Sequence, residues 1–402
     1  MKTTIHRILC LLPVGVILFM TGCEYDVAEP LWTQSQPETP IPEITSIDPP
    51  DVAVAGANTI TITGVNFGES AETNDVYFGN VEAEILSASS TSITVRRPNL
   101  VVEACTVKVV PHHTLLPATH SPYGIDLVMD YYGTFLENTE LSTAVVDQDE
   151  NVYVFQRTSP VSLVKITPEG ERIMLNEDVS SAATDAKIGP DGSMVVLVNN
   201  RQTSKINLET GEETDWLRLS KSVSRGDFDE NGNLYAGGRR SDLIVILPDE
   251  SFSQIGHWIA DEILWVRVYD NYVYLLIDIA SVSEERPDFS IWRHPIDGAG
   301  NVGEPELFID WTQTGDYAES LPSCFTFSEN GLMMIGTDHA DPIMLYDLES
   351  DTQDILYKDI LPTAAIQLVW GAGSHVYMIL GGENNNLIRI DMGTAGAPYY
   401  GR

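Results

Sequence analysis

The chain is predicted to be all-β: a compact β domain followed by a six-bladed β-propeller. Between Leu141 and the C-terminus one phrase recurs six times. It runs apolar strand, turn of Asp, Asn and Gly, aromatic or β-branched strand, polar corner, third strand. The second-strand anchors Tyr153, Val195, Tyr235, Tyr274, Met334 and Tyr377 are spaced by 42, 40, 39, 60 and 43 residues. A period near 40 that holds three or four short strands is the pattern of a propeller blade. Upstream, Thr59-Ile60-Thr61-Ile62-Thr63 and Ser92-Ile93-Thr94-Val95 alternate as half-buried strands do. Hydrophobic residues make up 43% of 402, enough to fill packed cores, so the chain is not a disordered one.

The formal net charge is -37, and becomes -39 when residues 1–22, with Lys2 and Arg7, are set aside. Such a surface repels nucleic-acid phosphates and anionic headgroups, which excludes a nucleic-acid partner. Four cysteines, Cys10, Cys23, Cys105 and Cys324, form neither a disulfide framework nor a zinc spacing. Cys105 and Cys324 are expected as buried small hydrophobes.

Residues 1–22 carry a short basic start and an apolar run, Ile8 to Met20, too short to span a bilayer comfortably. The run ends in Met20-Thr21-Gly22-Cys23, which resembles the lipobox of bacterial lipoproteins. That resemblance implies a cleaved signal peptide and a lipidated Cys23. Several acyl chains at about 0.8 kcal/mol per buried CH₂ make a stable anchor where one does not. Glu24, Asp26 and Glu29 follow, and resemble the surface-export signal of Bacteroidetes lipoproteins. The expected location is the outer membrane, lipid-anchored and facing the cell exterior. Residues 23–40, with Pro30, Pro37 and Pro40, read as a tether. Extended at about 3.1 Å per residue, it spans roughly 50 Å.

Residues 41–111 form the compact β domain. Ile47-Asp48-Pro49-Pro50, Ile60–Gly68, Val76-Tyr77-Phe78-Gly79 and Ile93–Pro98 resemble the IPT/TIG immunoglobulin-like domain. The resemblance implies a small β-sandwich with Phe67 and Phe78 in or near its core. Only Arg96, Arg97 and Lys108 are basic there, so a rigid stalk is expected rather than a DNA reader. Residues 112–129 carry three prolines nearby (Pro111, Pro117, Pro122) and read as a linker. His112, His113 and His120 lack a supporting carboxylate pattern and are expected as linker residues rather than metal ligands.

The propeller occupies residues 130–402. Its units include Ser142–Asp147 with Asn151–Phe155, Asp191–Val196 with Ser204–Glu212, Asp229–Tyr235, and Val376–Ile379 with Leu387–Asp391. In register these resemble the NHL-type six-bladed propeller. One blade cannot bury both of its faces, so the repeats must stack and close into a ring. The closing outer strand comes either from residues 128–135 or from residues 397–400. The 60-residue interval implies an insertion of roughly 20 residues between Ile279 and Ala318, on a face where repeat proteins bind.

No zinc helix, nucleophile elbow or phosphate-cradling loop is present, and the expectation is that the chain performs no reaction. Basic residues instead gather at successive second-to-third-strand corners: Arg157, Arg201, and Arg239 with Arg240. Lys221 and Arg225 stand in a neighbouring connection. Two readings follow: a cationic mouth that grips carboxylate or sulfate in fork geometry, or arginines that pair with local acids and solvate loops. His339 and Asn384 stand at further corners. Trp311 and Tyr317, in the irregular insertion, are expected to stack on sugar rings. Trp265 and Trp370 are expected in the blade core, and Trp258 fits either role.

The layout of lipid, tether, IPT domain and propeller resembles surface glycan-binding lipoproteins of Bacteroidetes polysaccharide-utilization systems. It implies a non-catalytic module that captures oligo- or polysaccharide, neutral or anionic, beside outer-membrane transporter components, with no cofactor. One alternative is a propeller enzyme of lactonase or lyase type. That enzyme would hold calcium on the axis, with Asn199, Asp278, Asp338 and Asn384 as its candidate ligands. The other alternative is a surface protein–protein interaction module.

Overall fold

The computed structural model describes residues 40–53, 59–136, 139–382 and 386–400; the leader, Cys23, the tether and Asn384 lie outside the described residues. In the N-terminal domain the alternating threonines face outward while Ile60, Ile62, Ile93 and Val95 are buried. That face belongs to a sheet ordered Glu43–Asp48, Thr59–Val65, Ser92–Arg96, Ile85–Ser89. A second sheet, ordered Val52–Ala53, Ala118–Ile125, Val102–Pro111, Asn74–Phe78, Val81–Glu82, supplies Val76, Phe78, Val107 and Val109 to the same core. Phe67 and Phe78 are both in that core, which is the sandwich expected.

The linker expected over residues 112–129 is not one. Ala118–Ile125 is a strand, antiparallel to Val102–Pro111, and Tyr123 and Ile125 are buried in the sandwich. Its prolines disguise it. Pro122 cannot donate to the ladder, and the register shifts between the Cys105–Tyr123 and Val107–His120 pairs absorb it as a bulge. His112 sits 3.2 Å from Asp75, and no cluster of metal-ligating residues occurs among the described residues. Of the two thiols, Cys324 is buried as expected and Cys105 is only partly so.

Six four-stranded antiparallel sheets follow among the described residues. Blade one is Leu141–Val146, Val152–Gln156, Val161–Ile166 and Arg172–Val179. Blade two is Asp185–Ile188, Met194–Leu197, Asn200–Ile206 and Glu213–Val223. Blade three is Arg225–Phe228, Leu234–Gly237, Ile244–Ile246 and Phe252–Gln254. Blade four is Glu262–Tyr269, Tyr272–Asp278, Phe289–Pro295 and Glu306–Asp310. Blade five is Pro322–Phe327, Leu332–Thr337, Ile343–Asp347 and Thr352–Ile355. Blade six takes Ala365–Trp370, His375–Leu380 and Leu387–Asp391 from the C-terminal end. Its fourth strand, Met129–Tyr131, comes from before blade one.

That pairing decides which segment closes the ring. Arg389 reinforces it, donating from Nε and Nη2 to the Asp130 carboxylate at 3.2 Å each. The first strands pack side by side around the axis, and blade six meets blade one through Gln367. Its amide accepts from Ala144 N at 2.7 Å and donates to Thr143 Oγ1 at 2.9 Å.

The turn chemistry explains the rhythm. In blade one Asp147 accepts from the Asn151 amide at 2.9 Å and from the Tyr153 hydroxyl at 3.0 Å. In blade three Asp229 does the same for Asn233 at 2.9 Å and Tyr235 at 3.1 Å. The aspartate is an Asx-turn acceptor that also tethers the second-strand tyrosine.

The extra length of blade four is not a single insertion. It is shared by the corner at residues 279–288, the turn at residues 296–305, and the short 3₁₀ segments Trp311–Gln313 and Gly315–Tyr317. Trp292 lies within a regular strand and is buried.

The sandwich docks on blade five. Arg96 bridges Glu84 at 3.1 Å and Asp354 at 2.9 Å, and Asn99 Nδ2 donates to Asp359 O at 2.8 Å. Arg97, buried, lies over the Tyr357 ring and donates to Asp126 O.

Candidate functional site: the axial mouth

Antiparallel strands put the start of every first strand on the same rim as the second-to-third-strand corners and the inter-blade connections. At the centre of that rim the first strands of blades two, three and four bring Asp185, Lys187, Arg225 and Trp265 together. The Arg225 guanidinium lies 5.4 Å from the Trp265 ring centroid, and Lys187 Nζ lies 5.5 Å from it. Trp265 is itself fixed by Nε1 donating to Phe325 O at 2.8 Å.

Arg225 is half-buried and is held by backbone alone. Nε donates to Leu264 O at 3.0 Å, and Nη1 donates to Ser224 O at 3.0 Å and to Thr184 O. Nη2 makes no hydrogen bond among the described residues. Burial pushes the pKa of this guanidinium down, against the opposing pull of Asp185.

Asp185 does not neutralise it by contact, because its oxygens are committed. Oδ1 accepts from Ala186 N at 2.9 Å and Lys187 Nζ at 2.8 Å, and Oδ2 accepts from Gly226 N at 3.0 Å. A carboxylate engaged by three donors has little capacity left to accept from an incoming group. The nearby thiol is no better a nucleophile: burial pushes Cys324 up to about 11.

Below the mouth the axis is filled. Trp265, Lys187, Asp227 and Tyr399 leave a cavity of about 20 Å³, room for about one water. The C-terminal tail seals the far end. Ala397 N donates to Phe327 O at 2.9 Å, Arg267 donates to the carbonyls of Ala397 at 3.1 Å and Pro398 at 2.9 Å, and Tyr399 packs over the same guanidinium at 3.7 Å. The mouth is therefore a blind recess that can hold a group but cannot pass one through.

The corner residues named from sequence lie on this rim with different fates. Arg157 pairs with Glu140 at 3.1 Å and Arg239 approaches Glu262 at 3.6 Å. Arg201 Nε donates to Leu219 O at 3.0 Å. Arg240 is exposed, with φ of 52°. Ion pairing with local acids thus takes two of the four.

The stacking roles expected for Trp311 and Tyr317 are corrected: both side chains are core, at 2% and 3% exposure. Trp311 Nε1 donates to Ser320 O at 2.8 Å, and Tyr317 OH donates to Asp341 O at 3.0 Å. An irregular segment needs its own core, and these aromatics supply it. His339 packs on the Tyr317 ring with centroids 4.6 Å apart. Trp258 and Trp370 are buried as well. Asn199, Asp278 and Asp338 stand at corners, outside the wall of first strands that surrounds the axis.

Sequence reading passed over Arg225 as a connection residue. The signal was a basic residue opening an inner strand, in Arg225-Gly226-Asp227-Phe228.

Solved structures of similar form include an auxiliary nutrient binding protein from Bacteroides ovatus, 11% identical, covering 89% of this chain and 98% of that one, with a TM-score of 0.49. Another from Bacteroides thetaiotaomicron is 12% identical, covering 88% and 98%, with a TM-score of 0.43. A catalytically inactive virginiamycin B lyase from Staphylococcus aureus is 11% identical, covering 65% and 98%, with a TM-score of 0.48. No curated protein matches the chain. Residues 42–123 match the family model of the IPT/TIG domain, the segment that folds here as the two-sheet sandwich ahead of the propeller.

Proposed function

We propose that the chain is a non-catalytic binding protein of the cell surface, lipid-anchored at Cys23. On this reading it captures oligo- or polysaccharide for outer-membrane uptake and takes anionic groups of the glycan at the axial mouth. The observation that carries the reading is Arg225: a half-buried guanidinium with no bonded carboxylate among the described residues, opening a recess whose far end is plugged. A carboxylate or sulfate entering there gains a charge-assisted hydrogen bond from the Arg225 guanidinium. Arg201 and Arg240 at the rim, the two corner arginines that ion pairing with local acids does not take, add a field that gathers such ligands in an otherwise acidic protein. Asp185 and Cys324, the groups nearest to chemistry, are committed or protonated, which favours binding over turnover.

The test uses residues 41–402, one compact unit, against uronate-bearing, sulfated and neutral oligosaccharides, with and without chelator. Arg225→Gln is expected to weaken anionic ligands about tenfold or more, since a hydrogen bond to a charged group contributes about 1.5–3 kcal/mol. Unchanged affinity removes the mouth from the reading. Product release from any of these substrates, abolished by chelator, replaces it with the enzyme reading.

A further inference from the structure

A second cleft, of about 140 Å³, opens between blades two and three on the rim opposite the mouth. Its walls come from three turns and one outer strand. Pro190 and Asp191 lie in the first turn of blade two, Leu247 to Glu250 in the last turn of blade three, and Trp216 on the outer strand of blade two. Gly232 closes the seam at φ of +83°, where a Cβ would stand 3.2 Å from Pro190 Cγ and 3.6 Å from Pro248 Cγ. Any side chain there would intrude between those prolines.

The polar groups form one connected rim. Trp216 Nε1 reaches across the seam to Glu250 Oε1 at 2.9 Å. Lys205 Nζ sits 4.6 Å from the Trp216 ring centroid and donates to Asp191 Oδ2 at 2.7 Å. The indole is thereby held at its edge and on one face before any ligand arrives. Glu250 Oε2 and two of the three Lys205 N–H groups make no hydrogen bond among the described residues. They are a free acceptor and free donors beside an apolar wall.

We propose that this cleft binds one neutral, hydroxylated ring, of the pyranose class. Trp216, Leu247 and Pro248 give the apolar C–H side of such a ring a matching wall. Glu250 accepts from its hydroxyls and Lys205 donates to them. Two carboxylates and one ammonium leave the cleft net negative, so it disfavours a uronate or a sulfate, the opposite preference to the axial mouth. The volume holds several waters, which suits a single ring and not a chain of them. This site shares only its ligand class with the function proposed above; it uses other residues on the other rim, so either can fail alone.

The experiment is hydrogen exchange and tryptophan fluorescence on the full chain with methyl glycosides of glucose, galactose, mannose, xylose and N-acetylglucosamine, each at saturating concentration. At least one is expected to protect the amides of residues 191–193, 247 and 249–251. Trp216→Ala should weaken that ligand more than tenfold and Glu250→Gln several-fold. Trp216→Phe retains an aromatic wall but loses the bond to Glu250; it serves if the alanine variant does not fold, and should bind several-fold more weakly. No protection by any of the five glycosides, or protection that survives both Trp216 variants, overturns the proposal.

Discussion

Arg267 and Asp227 form an ion pair of 2.7 Å between the first strands of blades four and three, with each side chain only 1% exposed. Asp227 also accepts from Val268 N at 2.9 Å, and the other guanidinium nitrogen holds the C-terminal tail. Burial opposes this charge, but Asp227 beside it raises the Arg267 pKa overall. The pair thus fastens two blades to each other and the tail to both.

Breaking it from one side leaves the other charge buried and unpaired. Asp227→Ala is expected to cost about 3–5 kcal/mol, read as a lowered urea midpoint. A second variant separates the tail from the pair. A Cβ at Gly396 would lie 2.3 Å from Trp370 Cγ, so Gly396→Ala should expel the tail and expose residues 395–400 to protease. A tail that stays protected in this variant would show that the blades, not the tail, close the axis.

The sandwich and blade five are joined by Arg96, Arg97 and Asn99. Arg96 and Asp354 are a partly exposed pair, worth at most about 1 kcal/mol, whereas Arg97 is buried against Tyr357. Calorimetry of the Arg97→Ala, Asp354→Ala double variant should therefore split one unfolding transition into two, while Asp354→Ala alone should not. A single transition in the double variant would place the coupling elsewhere.

His294 makes stability depend on pH. Trp258 Nε1 donates to its Nε2 at 3.0 Å, so the ring proton sits on Nδ1, 2.8 Å from Gly303 O. Burial lowers its pKa below the ordinary 6.5. The unfolded chain then binds a proton that the folded chain refuses, so stability is full above pH 6.5 and falls as the pH drops through the window below it. Denaturant midpoints on either side of that value should show a loss on acidification that is smaller in His294→Gln. An equal loss in the variant would assign the effect to carboxylates.

What the residues determined by themselves was everything local or periodic. The strand–turn–strand phrase spans a few positions, and its six recurrences specify six blades, because each sheet must bury both faces against a neighbour. The alternating threonines specified the sandwich in the same way. Tertiary structure decided what joins residues far apart in the chain. Met129–Tyr131 won the closing position over the tail because only it pairs with Leu387–Asp391. The tail took the axis because Arg267 offers it donors there. Trp311 and Tyr317 turned inward to give an irregular segment a core, while Arg225 and Trp216 became half-buried chemistry at the two rims. Both line places where two blades meet, and a seam between blades has no period of its own to read.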